Sequence, residues 1–285
     1  MVSPLLVRPG HRLLRCPVCQ FDLAGAAGAL VCRNRHSFDL SREGYVNLLS
    51  GRRRRWASGG DSLEQLRHRA AFLDAGYLDD IAATIAEHAE QGCTSMSGAW
   101  RILDAGFGTG HHLARIAEVL LPDVVGIGLD ISRDAARQAA RRWPTLAFAV
   151  ADLWTEWPVQ SAAVDLVMSI FAPKNFSEAA RVLRPGGLIA MAYPGVDHMI
   201  EFRNRFAVMR RHQAAAQRYT EEVRHFVGLP TFLRLRRQAV LDNAAIRNAI
   251  LMGPNARHLS VSALDAELGP LAVTFDVTVS FARKS

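Results

Sequence analysis

Apolar and polar positions first alternate in short runs. LLRCPVCQFDL and ALVCRNRHSFDL, within residues 12–46, each leave room only for brief strands on either side of a turn. From Asp61 the spacing lengthens. Leu63, Leu66, Ala70, Leu73 and Tyr77 recur every three or four residues, which predicts an amphipathic helix, and Asp61-Ser62 with Glu64 behind them reads as its start. A second helix is predicted over 79–90 and a loop of small residues over 91–99. Apolar runs then alternate with helical stretches: strand 101–105, helix 109–121, strand 124–130, helix 132–142, strands 146–151 and 164–171, helix 175–183, strand 188–193. That alternation predicts an α/β domain around a parallel sheet. The last third is less regular, with a helix around 197–216, a strand around 232–238, a helix at 242–252 and a final strand at 273–281.

The length of 285 residues suits one large domain and a small one. No apolar run approaches the ~18 residues of a membrane span, and the apolar part of MVSPLLVRPGHR is too short for a secretory signal. A cytoplasmic protein without a membrane partner is expected. Three of the four cysteines stand at metal spacing and Cys93 has no evident partner, which suits a reducing compartment. Cys16, Cys19, Cys32 and His36 read C-x2-C, a twelve-residue gap, then C-x3-H. That is the spacing of a tetrahedral zinc site closed by two short loops. Four protein ligands leave no position for water, so the metal is expected to be structural, ordering a ribbon too small to fold alone.

Charge adds a location. The net charge is +7, and the first 60 residues hold ten arginines against Asp22, Asp39 and Glu43, while the remainder balances. Arg52, Arg53, Arg54 and Arg55 form the densest run, in a Gly-flanked linker. Localised arginine is the footprint of phosphate-backbone binding; a solvated linker is the competing reading. The ribbon would present Arg12, Arg15, Arg33 and Arg35 to a phosphate backbone.

The segment Ile102-Leu103-Asp104-Ala105-Gly106-Phe107-Gly108-Thr109-Gly110 ends a strand and opens a helix. The nicotinamide fingerprint is G-x-G-x-x-G. Here the spacing is G-x-G-x-G with an acid two residues ahead, which resembles the S-adenosylmethionine (SAM) loop of class I methyltransferases. Asp130, ending the next apolar strand, is placed to accept two ribose hydroxyls, with Ile131 beside it. Asp152 is placed to meet the adenine amino group and Leu153 to flank the ring. Leu183-Arg184-Pro185-Gly186-Gly187 before the fifth strand is a further common feature of SAM domains.

With both halves in view, the chain resembles the bacterial 23S rRNA (guanine-N1)-methyltransferases of RlmA/TlrB type from about residue 13 to about residue 281. Five segments carry the resemblance. They are the zinc motif; Phe38-Asp39 with Glu43-Gly44-Tyr45-Val46-Asn47-Leu48-Leu49; Gly60-Asp61-Ser62 with Arg69 and Phe72-Leu73-Asp74-Ala75-Gly76; the SAM loop; and the distal words Ile170-Phe171-Ala172-Pro173, Met252-Gly253-Pro254 and Ala256-Arg257-His258. The last two words look closer to the tylosin-resistance branch.

The resemblance implies a class I SAM-methyltransferase, a Rossmann-like α/β fold with a seven-stranded sheet, behind a small N-terminal zinc-ribbon domain. The expected division is a ribbon at 1–50, a basic linker and helices at 51–99 and a methyltransferase domain at 100–285. It also implies a guanine in a domain II hairpin loop of 23S rRNA as substrate, a contribution to macrolide resistance, and a homodimer. His198 matches a family histidine near the cofactor. The family's SAM-contacting Tyr falls here at Leu78, so Tyr77 is its expected substitute. With Asp104, Gly106, Gly108, Thr109, Gly110 and His111, these residues make up the expected cofactor set. Phe171 is expected to stack on the target base and Pro173 to shape its floor, against the alternative of a packed strand end. Guanine N1 must lose a proton, and His111, His112, Asp165, His198 and His258 are the candidate bases. Two further readings stay open: a SAM-dependent methyltransferase of another RNA position or a small metabolite, and an RNA-binding protein with a vestigial cofactor site.

Overall fold

The computed structural model describes residues 7–49, 60–92, 98–120, 123–206, 215–253 and 269–285. Three short strands, β1 (Leu23–Ala26), β2 (Ala29–Cys32) and β3 (Ser37–Asp39), form an antiparallel ribbon. Its first hairpin turns at Ala27-Gly28, both at positive φ, as the tightest hairpins require. β4 (Tyr45–Asn47) leaves the ribbon, and α1 (Leu63–Asp74) and α2 (Asp79–Gly92) follow. Ser62 caps α1 reciprocally with Gln65, within the Asp61-Ser62 start read from the sequence.

Next come β5 (Trp100–Ala105), α3 (His111–Val119), β6 (Val124–Asp130), α4 (Arg133–Arg142), β7 (Ala147–Val150), β8 (Val164–Ile170) and α5 (Phe176–Val182). The chain ends with β9 (Leu183–Pro194), α6 (Ile200–Phe206), α7 (Ala215–Phe226), β10 (Thr231–Leu241), α8 (Asn243–Leu251) and β11 (Leu271–Arg283). The main sheet has the order β10-β11-β9-β8-β5-β6-β7-β4. Its strands run parallel from β9 to β4, and β11 and β10 are antiparallel.

Seven strands were expected in this sheet and eight are present. The extra one is β4, the exit of the metal module, laid parallel on β7 with Tyr45 opposite Phe148 and Asn47 opposite Val150. A three-residue strand carries no periodic signal, and its partner lies far along the chain. The helix expected around 197–216 is met by α6 over part of that range, and α7, past the undescribed 207–214, lies almost wholly beyond it. Among residues 219–226 only Val223 is fully buried, so α7 carries little apolar period in the sequence. β10 and β11 run one to three residues past each of their expected ends.

Both sheet faces are covered. On one, α1, α2, α3, α4 and α8 pack over residues such as Ile102, Phe148 and Leu166. On the other, α5 and α7 share a cluster with the ribbon, in which Leu14, Leu30 and Val46 meet Leu103, Ile127 and Ala147. No helix joins β7 to β8; the ribbon and the 3-10 turn Pro9–Leu13 lie against the sheet there. Among the described residues no helix is long and apolar enough to cross a membrane.

Candidate functional site

Buried β5 delivers the loop to the carboxyl end of the sheet. Gly106, Gly108 and Gly110 have φ of +95°, +54° and +73°, a region that disfavours side chains. Each also lacks room. A Cβ on Gly106 would run into Ala172, one on Gly108 would lie 3.2 Å from Arg69 Nη1, and one on Gly110 would press on Trp143 and Phe148 at 3.0 and 3.1 Å. The buried Thr109 leaves its Oγ1 without a partner.

Asp104 is buried beside this cradle. Burial, reinforced by the charge of Asp130, holds its carboxyl well above the usual carboxylate range. Asp130 accepts the Gly108 amide at 3.0 Å and the Ser132 amide at 2.9 Å; burial raises its carboxyl too, against those bonds. Leu153 reaches within 3.6 Å of the position a Gly106 Cβ would take. Asp152 accepts the Trp154 amide at 2.9 Å. A glycine cradle, an unpartnered hydroxyl and paired acids suit a ligand with ribose hydroxyls and a cationic group, the chemistry of SAM. These residues fit that cofactor.

The linker helix covers the cradle. Ser132 Oγ donates to the Asp61 carbonyl at 3.2 Å, and Arg69 pairs with Asp61. Gln65 donates to the Gly253 carbonyl at 3.0 Å, Arg69 to the Met252 carbonyl at 3.0 Å, and His68 meets Asn248 at 2.8 Å. The Met252-Gly253 word of the sequence thus closes against α1, while Pro254, Ala256, Arg257 and His258 lie outside the described residues.

Two expected cofactor residues have protein partners of their own. His111 bonds Asp79 at 2.8 Å and approaches Asp74 at 3.5 Å, both on the α1–α2 side. Tyr77 stacks on Phe72 and Phe275, with ring centroids 5.0 and 5.8 Å away. Leu78 is buried.

At the end of β8, Phe171 has φ +53° and is 40% exposed. Its ring lies 5.7 Å from that of His198, which in turn meets Phe275 at 6.2 Å. Pro173 is exposed beside it, and its carbonyl accepts from Ser169 at 3.3 Å. His198 Nδ1 accepts the Asp276 amide at 3.3 Å, so the neutral ring carries its proton on Nε2. His112 is pushed down to about 3 by burial and then by His111. Asp165 pairs with Arg184 and accepts the Arg101 amide, near the opposite end of β8. Lys174, not singled out from the sequence, belongs to this loop. It is buried, donates to the Ala172 carbonyl at 2.9 Å, lies over Tyr219, and is pushed down to about 8 by burial. A lysine next to an apolar word is hard to distinguish from a surface one in sequence.

The metal module brings its four ligands together. Their donor atoms all lie within 4.8 Å of one another, with Cys16 Sγ–His36 Nδ1 at 3.5 Å, Cys32 Sγ–His36 Nδ1 at 3.4 Å and Cys19 Sγ–Cys32 Sγ at 3.6 Å. Tetrahedral zinc with Zn–S of about 2.3 Å needs sulfurs about 3.8 Å apart, so the set fits structural zinc. Burial would raise the Cys32 thiol, but amides of His36 and Asn34, with Cys19, bring it down to about 7. Arg12, Arg33 and Arg35 are exposed, Arg33 lying over Phe21. Arg15 differs: its mostly buried side chain pairs at 2.6 Å with the half-exposed Glu156. Arg52 to Arg55 and Cys93 lie outside the described residues.

Known proteins resemble the chain in both halves. The model of the RlmA N-terminal zinc ribbon matches residues 14–55, and a methyltransferase-domain model matches 102–187. The 23S rRNA (guanine(748)-N(1))-methyltransferase of Streptomyces fradiae is 35% identical over 270 residues, covering 94% of each chain. A relative from Micromonospora griseorubida is 36% identical, covering 95% of this chain and 96% of its own length. The solved structure of YcgJ from Bacillus subtilis is similar in fold, with a TM-score of 0.50 at 15% identity over 72% of this chain and 99% of that one.

Proposed function

We propose that this chain, which belongs to the 23S rRNA (guanine-N1)-methyltransferase family and is a SAM-dependent rRNA methyltransferase with structural zinc, acts on a guanine of a domain II hairpin loop. The full-length likeness to the Streptomyces fradiae enzyme, whose name specifies guanine 748, carries the choice of target. A contribution to tylosin-type macrolide resistance, a cytoplasmic site of action and pairing of two copies belong to the same proposal.

SAM, when bound, supplies an electrophilic methyl on a cationic sulfonium. The protein's part is to position and desolvate. Gly106, Gly108 and Gly110 let the backbone approach the cofactor, Asp130 and Ile131 receive the ribose, and Asp152 and Leu153 receive the adenine. Asp104 and Thr109 meet the amino-acid tail. Phe171 stacks on the target guanine above Pro173. His198, with its proton on Nε2, donates to a carbonyl or carboxylate there rather than taking the N1 proton.

The arginine-bearing ribbon holds the RNA backbone through Arg12, Arg33 and Arg35, continued by Arg52 to Arg55. Trp154 lies between ribbon and cradle. It is 69% exposed, two residues from Asp152 and two from Glu156, which binds Arg15 and Gln20 of the ribbon. An indole so placed is a platform for an unpaired base.

The test is methyl transfer from labelled SAM to a domain II hairpin transcript, with the product nucleoside mapped by mass spectrometry. An N1-methylguanosine in the loop is expected. SAM binding without transfer to this RNA would redirect the search to another RNA position or a small acceptor.

A further inference from the structure

The amino-acid tail of SAM is a zwitterion, so its site needs a place for an ammonium and a place for a carboxylate. The loop offers the first in Asp104, whose buried carboxyl stands near Asp130. Neither acid beside the cradle can neutralise a carboxylate, so the anion needs a cation of its own. None of α3's first-turn residues is a lysine or arginine.

We infer that Arg69 of the linker helix takes the SAM carboxylate. Its guanidinium enters the cradle from above: Nη1 lies 3.2 Å from where a Gly108 Cβ would be, and Nη2 donates to the Met252 carbonyl at 3.0 Å. It is near enough to Asp130 to lower that carboxyl and near enough to His112 to lower that imidazole. Asp61 is its counter-ion. Both side chains are about 70% covered, at 28% and 29% exposure, so the pair is partly withdrawn from water and still reachable. A guanidinium has five donors in a planar fork. Asp61 and the Met252 carbonyl leave donors for a bidentate carboxylate contact, which a lysine could not form.

This assignment gives the linker helix a role in cofactor binding. Gln65, His68 and Arg69 share one face of α1, and all three hold α8 or the residues just after it. A carboxylate gripped by Arg69 ties α1, the end of α8 and the glycine loop into one arrangement. The inference rests on the SAM reading of the cradle.

Decarboxylated SAM separates the contributions, because it keeps the sulfonium, adenosine and ammonium and lacks only the carboxylate. Calorimetric titration of the zinc-loaded full chain with both ligands is the measurement. Arg69→Gln is expected to weaken SAM roughly 10- to 100-fold and to leave decarboxylated SAM within about twofold, since no contact to it has changed. Arg69→Lys, a gentler change should the first variant fold poorly, is expected to lose less SAM affinity, again with decarboxylated SAM within about twofold. Equal weakening of both ligands would show a clasp that is merely structural. Unchanged SAM affinity would place the carboxylate elsewhere. Either result overturns the inference. Failure of the unmodified protein to bind SAM at all would instead remove the cofactor reading.

Discussion

Phe171 holds a backbone conformation that an aromatic residue rarely adopts, at φ +53°, with its ring partly exposed at the cleft rather than packed in the core. Alanine at this position would bear similar backbone strain, so Phe171→Ala removes the ring and little else. Base–aromatic stacking is worth about 1–3 kcal/mol. The variant should therefore lose roughly 5- to 150-fold in kcat/KM for RNA while its SAM dissociation constant stays unchanged. Steady-state kinetics with calorimetry reads both, and equal loss of the two would make the ring a packing residue. The zinc ligands were legible because their meaning lies in near neighbours along the chain. Cys16, Cys19, Cys32 and His36 announce themselves by spacing. Arg15 and His111 did not, because what neutralises or engages them, Glu156 and Asp79, arrives from distant segments. In the sequence Arg69 is only part of a family word, whereas its place over Gly108 depends on the fold.

Among the elements, the N-terminal strap binds ribbon to sheet through buried polar groups. Arg8 donates to the Ala140 carbonyl at 2.9 Å and the Glu43 carbonyl at 2.7 Å, and His11 Nδ1 accepts the Arg8 amide at 3.0 Å. Burial, then the Arg8 charge, pushes the His11 imidazole down to about 4. Between about pH 4 and 6.5 the unfolded chain binds a proton that the folded strap refuses. Stability therefore rises with pH across that window and is lost as pH falls through it, by about 3 kcal/mol for the full shift. His112, pushed to about 3, adds to the same acid loss. Urea unfolding at pH 5 and pH 7.5 should show a steep difference for the native sequence and a shallower one for His11→Gln. Zinc release in acid affects both proteins, so the comparison isolates the strap. Identical slopes would mean that His11 is protonated in the fold. Regular elements such as β6 and α4 stood out by period, whereas the strap and β4 are short and aperiodic, and only their distant partners define them.

At the scale of the whole molecule, the ribbon is not an appendage. Cys16 and Cys32 belong to the same buried cluster as Leu103, Ile127 and Ala147 of the main sheet, and β4 is itself a strand of that sheet. Sequence reasoning expects Cys16→Ser to unfold the ribbon, abolish RNA binding and spare SAM binding. The shared cluster adds a consequence: apolar surface on β5, β6 and β7 that the ribbon covers would be opened to water when the metal leaves. Metal removal by a chelator should therefore move one cooperative transition downward, by at least about 5 °C for a loss of a few kcal/mol in a chain this long. RNA binding should vanish with it, while SAM still binds well below the new midpoint because Gly108 and Gly110 lie against Arg69, Trp143 and Phe148 on the face away from the ribbon, though Leu153 beside Gly106 belongs to the ribbon's cluster. Differential scanning calorimetry with and without chelator decides the matter. A separate low-temperature transition for the ribbon, with the main one unmoved, would mean that the common core is a contact surface between independently stable units rather than one folding unit.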